Sequence, residues 1–246
     1  MSEPALSLRA VCKRFGAVTV ADGVSFDVPA GTIHAVIGPN GAGKTSLINL
    51  VSGLIRADAG AVLLDGGDIS GLSLRRRARR GLLRSFQITA ILPEFTVLAN
   101  VALAAQSPAW GFVRAAARDA ASNHVAMAEL ERCGLAARAD HPAGALSHGE
   151  KRQLEIATAL AGRPRVLLLD EPLAGAGPEE TARLLDLLRG LRGDCAIVLV
   201  EHDMAAVFAL ADTISVLVYG RVIASGPPEA IRADPAVRAA YLGEDA

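Results

Sequence analysis

The run Gly38-Pro39-Asn40-Gly41-Ala42-Gly43-Lys44-Thr45-Ser46 fits the pattern G-x-x-x-x-G-K-[ST]. Its residue types suit one kind of ligand, a nucleoside triphosphate. Phosphate oxygens need many donors converging at short range. Gly38, Gly41 and Gly43 let the backbone adopt conformations that a Cβ forbids, and successive N–H groups then form an anion-binding nest. Lys44 supplies a mobile charge for the outer phosphates. The Thr45 hydroxyl is the expected Mg²⁺ ligand, and Ser46 adds a phosphate contact. A helix beginning here aims its positive dipole end at the same anion.

Three further stretches carry residues suited to triphosphate chemistry. RVLLLDEP, residues 165–172, has four consecutive apolar residues, then Asp170 and Glu171. A doubly buried strand of this kind delivers its last side chains to the carboxyl edge of a parallel sheet, where such sheets bind ligands. Asp170 is placed to hold Mg²⁺, through water, and Glu171 to polarise an attacking water. CAIVLV ends in Glu201-His202-Asp203, and His202 is placed to reach a γ-phosphate. LLRSFQ reads as a strand ending at Gln87, whose amide could reach a metal or water beside that phosphate. Phe15 either stacks on adenine or fills the core.

These residues need elements to hold them. Leu6, Leu8, Ala10 and Cys12 alternate with polar residues, as do Val24, Phe26 and Val28. Both patterns predict half-buried strands of a small antiparallel sheet. TIHAVIG predicts a strand before the glycine-rich loop and SLINLVSGL a helix after it. AVLLDG predicts another strand. Arg75, Arg76, Arg77, Arg79 and Arg80 form a charge run that reads as a solvated helix face. From about Thr96 to Ala161 apolar residues recur at three- and four-residue spacing without strand signals, which predicts a helical insert. Trp110 is its packing anchor. PEETARLLDLLRGL reads as an amphipathic helix, ISVLV and VIASG as strands, and Pro227 to Leu242 as two short helices.

The chain is 51% apolar with a formal net charge of −1. No apolar run approaches the ~20 residues of a membrane helix, and the charge balance gives no long-range attraction to nucleic acid. Cys12, Cys133 and Cys195 have no metal-type spacing, as expected of reduced thiols in a cytosolic protein. The opening residues carry an acid and no apolar h-region, so a signal peptide is not expected.

With these residues placed, the chain resembles the ATP-binding cassette (ABC) ATPase subunits of transporters over nearly its whole length. LSHGEKRQLEIA, residues 146–157, looks like the signature usually written LSGGQ. The resemblance implies a P-loop α/β fold with a small antiparallel β subdomain and an inserted α-helical subdomain. It implies one domain over 1–246: a nucleotide-binding core at about 1–87 and 164–225, a helical subdomain at about 88–163, and a tail at 226–246. It makes Phe15 the adenine-stacking aromatic, Gly38 to Ser46 the phosphate loop and Gln87 a sensor of Mg²⁺ and the permease. It makes Thr45, Gln87 and Asp170 the metal contacts, Glu171 the catalytic carboxylate and His202 the switch histidine. Ser147, His148, Gly149 and Glu150 would contact the ATP of an opposing subunit.

Three features depart from the pattern. His148 replaces the signature's first glycine and Glu150 its glutamine, and the segment Ala174-Gly175-Ala176-Gly177 lacks the usual aspartate. GPNGAGKTSLINLVSG, EHDM and AYLG look like the subunits serving uptake of branched-chain and other hydrophobic amino acids; urea and amide importers are the alternative. The resemblance thus implies a peripheral ATPase at the cytoplasmic face of the membrane, using ATP and Mg²⁺. Its partners would be a second, different ATPase chain, permease subunits touching the region from Gln87 to Asn100 with Phe95 and Val97, and indirectly a solute-binding protein. A soluble ABC protein of DNA repair or translation would need long coiled-coil insertions or two cassettes; a regulatory module without turnover would not need both Glu171 and His202.

Overall fold

A computed structural model of the chain describes residues 3–85, 91–106 and 119–242. Gln87 and Trp110 lie outside these residues. Two compact units are formed, one from residues 1–82, 165–171 and 191–246, the other from 83–164 and 172–190.

The first unit begins with β1 (Leu6–Phe15) and β2 (Val18–Val28), an antiparallel pair. β3 (Ile33–Ile37) leads into the glycine-rich loop and α1 (Lys44–Ser52). β4 (Ala59–Leu64) and β5 (Gly67–Asp68) complete a sheet of order β2-β1-β4-β5. The short helix α2 (Leu74–Ala78) precedes the edge strand β6 (Leu82–Arg84), which ends short of Gln87.

The second unit holds α3 (Val97–Ala105), α4 (Ala120–Arg132) and α5 (His148–Ala161). The first unit resumes at β7 (Val166–Asp170), and α6 (Pro178–Gly190) returns to the second. β8 (Ala196–Val200), α7 (Met204–Leu210), β9 (Thr213–Val218), β10 (Arg221–Gly226), α8 (Pro228–Ala233) and α9 (Pro235–Leu242) finish the chain. The second sheet runs β10-β9-β3-β8-β7-β6, with β9, β3, β8 and β7 mutually parallel.

Every residue of β3, β7 and β8 is buried, as strands covered on both faces must be. The period of two sends Val36, Leu168 and Val198 into one core with Leu47, Val51, Val24 and Phe26, between the sheets. Ala35 and Ile37 face the other way, into a second core with Val207, Ile214, Val216 and Ile231. The nucleotide loop therefore leaves a strand that is clamped on both sides.

The alternation read in β1 fails at Ser7, which is buried, and again at Ala10. Ala10 is exposed and Val11 buried. Ala10 has φ +46°, and the pairing register of β1 shifts between Leu8 and Val11 against β2 and between Arg9 and Cys12 against β4. This is a β-bulge, which moves later side chains to the opposite face. Phe15 lies at the end of β1. It pairs with Val18 across the hairpin and is 49% exposed, so it does not fill the core.

Candidate functional site

Strand β3 ends at Ile37, and the chain turns immediately through Gly38. A Cβ there would collide with the Leu217 carbonyl oxygen, and at Gly43 (φ +103°) with that of Val20. Glycine at both positions lets the loop lie flat against β9 and the β1–β2 hairpin. The loop is tied by Gly220 N donating to Ala42 O (2.9 Å) and by Ala42 N donating to Pro39 O (3.2 Å). α1 begins with Gly43 as its N-cap, and Leu47 N donates to Gly43 O at 2.8 Å. Its first amides have no partner inside the helix and open toward the loop.

Lys44 is only 8% exposed. Its ammonium donates to the carbonyls of Gly38 (2.7 Å) and Pro39 (3.0 Å), the mouth of its own loop. Burial pulls its pKa below the ordinary lysine range, and the charges of Glu171 and Asp170 oppose that shift. The loop and the end of β7 thus place one cation and two carboxylates in electrostatic reach of each other. Thr45 is exposed at the same helix start, with Ser46 half-buried beside it.

Asp170 closes β7, in register with Val200, and is buried. The next residue bends sharply: Glu171 has φ +50°, and its N–H donates to Val200 O at 2.8 Å. This turn throws the Glu171 side chain away from the strand while Asp170 stays inside. Backbone in the left-handed region is costly for a non-glycine residue and clusters at functional sites.

Just beyond the neighbouring strand β8, Glu201 is fully buried and His202 follows with a side chain 62% exposed. The Glu201 carboxylate accepts the His202 N–H at 3.1 Å and lies 3.8 Å from the imidazole Nδ1. Asp203 then caps α7, accepting from the N–H groups of Ala205 and Ala206. The histidine sits between a buried carboxylate and a capped helix. The carboxylate fixes the His202 backbone and leaves the exposed imidazole within ion-pair distance of it, without a ring hydrogen bond to Glu201. That Glu201 is fully buried and bonded to the His202 backbone is not apparent from sequence, although a carboxylate directly after AIVLV was a usable signal.

In the second unit the expected signature forms the start of α5. Ser147 is its N-cap: its Oγ accepts the Glu150 N–H (3.2 Å), and the Glu150 carboxylate accepts the Ser147 N–H (2.9 Å). This is a capping box, legible as S-x-x-E. The other Glu150 oxygen accepts from Arg138 Nε at 3.0 Å. The Ser147 N–H, and more weakly Arg138, hold the Glu150 carboxyl below the ordinary glutamate range. A Cβ at Gly149 would fall on the Glu180 carboxylate, so α6 packs directly onto the signature glycine. His148 and Gly149 occupy the first two helical positions, whose amides have no intrahelical acceptor.

Two expectations are corrected. Arg77 does not belong to a solvated face: it is 2% exposed. Its guanidinium donates to Leu50 O (2.9 Å), Val51 O (2.7 Å), Ser70 O (2.9 Å) and Leu72 O (3.1 Å). It thereby caps the far end of α1, while Arg75, Arg76, Arg79 and Arg80 are exposed. Val97, expected at a contact surface, is fully buried at the start of α3, whereas Leu92 and Phe95 before it are exposed.

The family described as ABC transporter matches residues 21–174, spanning the phosphate loop, the signature and the Asp170–Glu171 pair. The chain belongs to the ABC transporter family. A second family, described as branched-chain amino acid ATP-binding cassette transporter, matches residues 221–246. Among family members, the high-affinity branched-chain amino acid transport ATP-binding protein BraF of Pseudomonas aeruginosa is 38% identical, over 99% of this chain and all of that one. The LivG protein of Escherichia coli, described in the same words, is 36% identical over the same shares. An ATP-binding cassette of an ABC transporter solved in its ADP conformation superposes with a TM-score of 0.86 at 30% identity, covering 97% of this chain and 98% of that one. A nucleotide-free cassette gives 0.85 at 30% identity over 96% and 98%. The fold is thus the ABC ATPase fold expected from the motifs, and the chain is an ATP-hydrolysing transporter subunit. Among the described residues no helix is long and apolar enough to cross a membrane.

Proposed function

We propose that this chain hydrolyses ATP to drive uptake of branched-chain or other hydrophobic amino acids. The observation that carries the chemistry is the convergence of Lys44, Asp170 and Glu171 at the carboxyl edge of the parallel sheet. The substrate class rests on the likeness of the tail, residues 221–246, to the branched-chain amino acid cassettes and on the full-length likeness to BraF.

In this reading the loop from Gly38 to Ser46, with Pro39, Asn40 and Ala42 at its tip, wraps the triphosphate. Lys44 exchanges its two carbonyl acceptors for phosphate oxygens. Phe15 offers its exposed ring to adenine. The hard oxygen donors of Thr45 and Asp170 fit Mg²⁺, joined by Gln87. Bound there, Mg²⁺ supplies charge neutralisation of the phosphates. Glu171 orients and polarises a water whose oxygen attacks the γ-phosphorus as the bond to the β–γ bridging oxygen breaks. ADP and inorganic phosphate result, and the water's proton passes through Glu171. His202, its backbone N–H bonded to the buried Glu201, donates to the γ-phosphate. Positioning and charge stabilisation supply most of the acceleration.

The chain sits at the cytoplasmic face of the membrane, bound to permease subunits served by a solute-binding protein. Ser147 to Glu150 complete the ATP site of a second ATPase, a different chain, since the departures at His148, Glu150 and Gly177 lie on surfaces that serve the partner's nucleotide. Size-exclusion chromatography with light scattering on Glu171→Gln in Mg-ATP tests that pairing: the chain alone stays monomeric, and a predominant ATP-dependent homodimer would contradict it. Phosphate release by the assembled transporter tests the chemistry. Glu171→Gln should lower single-turnover hydrolysis about 10²–10⁴-fold with ATP binding retained, and hydrolysis near the wild-type rate would refute the assignment.

A further inference from the structure

A carboxylate in the signature poses an electrostatic problem. Glu150 stands where the family usually has glutamine, at the N-terminus of the helix proposed to meet a γ-phosphate. Anion and carboxylate would compete for the same positive helix end. The structure supplies a counter-charge: Arg138 Nε donates to Glu150 Oε1 at 3.0 Å, while Oε2 accepts the Ser147 N–H at 2.9 Å. Both carboxylate oxygens are thereby turned onto donors within the unit.

Arg138 is well placed to do this. It ends a 3₁₀ turn, Ala136–Arg138, that follows the buried Leu135. Its backbone accepts from His141 N (2.9 Å) and donates to Leu135 O (2.9 Å). The segment just beyond is stitched to the start of α3: Leu98 N donates to Ala139 O, Val97 N to His141 O and Ala143 N to Phe95 O, all at 2.8–2.9 Å. The guanidinium therefore projects from a turn fixed in two places.

We infer that Arg138 is a positioning residue of the signature, holding the Glu150 carboxylate in the capping box and offsetting its charge so that the Ser147 hydroxyl and the amides of His148 and Gly149 can receive a γ-phosphate. The inference rests on the proposed trans role of the signature. Ser147 can serve both purposes because its hydroxyl oxygen accepts from Glu150 N while its proton remains available to a phosphate oxygen. The pair is partly exposed, 49% for Arg138 and 26% for Glu150, and exposed pairs contribute little to stability. Its effect is read in ATP kinetics rather than in melting temperature.

The test is a double-mutant cycle in the assembled, reconstituted transporter: wild type, Arg138→Gln, Glu150→Gln and the double variant, with Ser147→Ala as control. KM and kcat for ATP are measured at low and high salt. Arg138→Gln should lower kcat/KM about 5-fold at low salt, the size of one unscreened charge near the phosphate, and less at high salt. In the Glu150→Gln background the same change should alter kcat/KM less than 2-fold, because no charge remains to offset. An equal loss in both backgrounds, or no loss with Glu150 present, would overturn the role of Arg138. Full activity of Ser147→Ala would overturn the trans reading itself, and this inference with it.

Discussion

Removing the Arg77 guanidinium should destabilise the nucleotide-binding unit more than any other change in the arginine run. Arg77→Met keeps much of the aliphatic volume and deletes four donors. Their acceptors are the carbonyls of Leu50, Val51, Ser70 and Leu72. Leu50 and Val51 lie in the last turn of α1, where carbonyls run short of intrahelical donors, although the Leu50 carbonyl keeps a second donor, the Gly53 N–H at 3.2 Å. A hydrogen bond to a charged donor contributes about 1.5–3 kcal/mol, and an acceptor left buried without a partner costs about 1–3 kcal/mol. Releasing a buried cation offsets part of this: burial already pulls the Arg77 pKa down, with only Asp68 opposing. Water entering the cavity offsets more. The net loss is about 3 kcal/mol, or roughly 6–12 °C in a domain of this size. Lysine cannot restore it, since one ammonium does not reproduce a planar fork aimed at four carbonyls. Thermal unfolding of wild type, Arg77→Met, Arg77→Lys and the exposed control Arg76→Met decides the matter. Because α1 carries the phosphate site at its other end, Arg77→Met should also weaken ATP binding in calorimetry. A shift no larger than that of Arg76→Met would refute the capping role.

Three predictions concern the second unit. Burial pushes the Glu155 carboxyl up from an ordinary 4.5 to about 7, with Arg152 opposing. Its folded pKa exceeds its unfolded one, so the folded chain holds the extra proton, and stability falls as pH rises from about 4.5 through 7. Glu155→Gln should flatten that part of the stability–pH curve and melt higher than wild type at pH 8; an unchanged slope would show that Glu155 titrates normally. Phe95→Ala should uncouple ATP hydrolysis from reconstituted transport with little change in melting temperature, because Phe95 is exposed. Val97→Ser should instead lower the melting temperature, since it places a hydroxyl at a fully buried position. Normal transport by Phe95→Ala would remove that side chain from the permease contact.

The parts legible in the sequence were those governed by local rules. A glycine-rich loop between a strand and a helix, and apolar runs ending in acids, each depend on neighbours a few residues away. What stayed hidden depended on distant chain. Arg77 reads as one of five like charges until α1, 26 and 27 residues earlier, presents its last-turn carbonyls. The bulge at Ala10 leaves no composition signal, yet it changes which face Val11 takes. Val97 looks like part of an exposed apolar stretch, but the cap at Thr96 turns it into the helix and the core. Glu150 reads as an uncompensated departure until Arg138, twelve residues before it, supplies the counter-charge.

The most direct test of the whole account is uptake of labelled leucine into proteoliposomes containing the complete transporter, with ATP on the side of this subunit. Wild type should accumulate leucine only with hydrolysable ATP. Lys44→Ala should give neither ATP binding nor uptake, because it removes the buried ammonium that now rests on Gly38 and Pro39. Uptake that survives Lys44→Ala, or ATP hydrolysis by the wild-type complex with no leucine accumulated, would contradict the proposed coupling of this site to amino acid import.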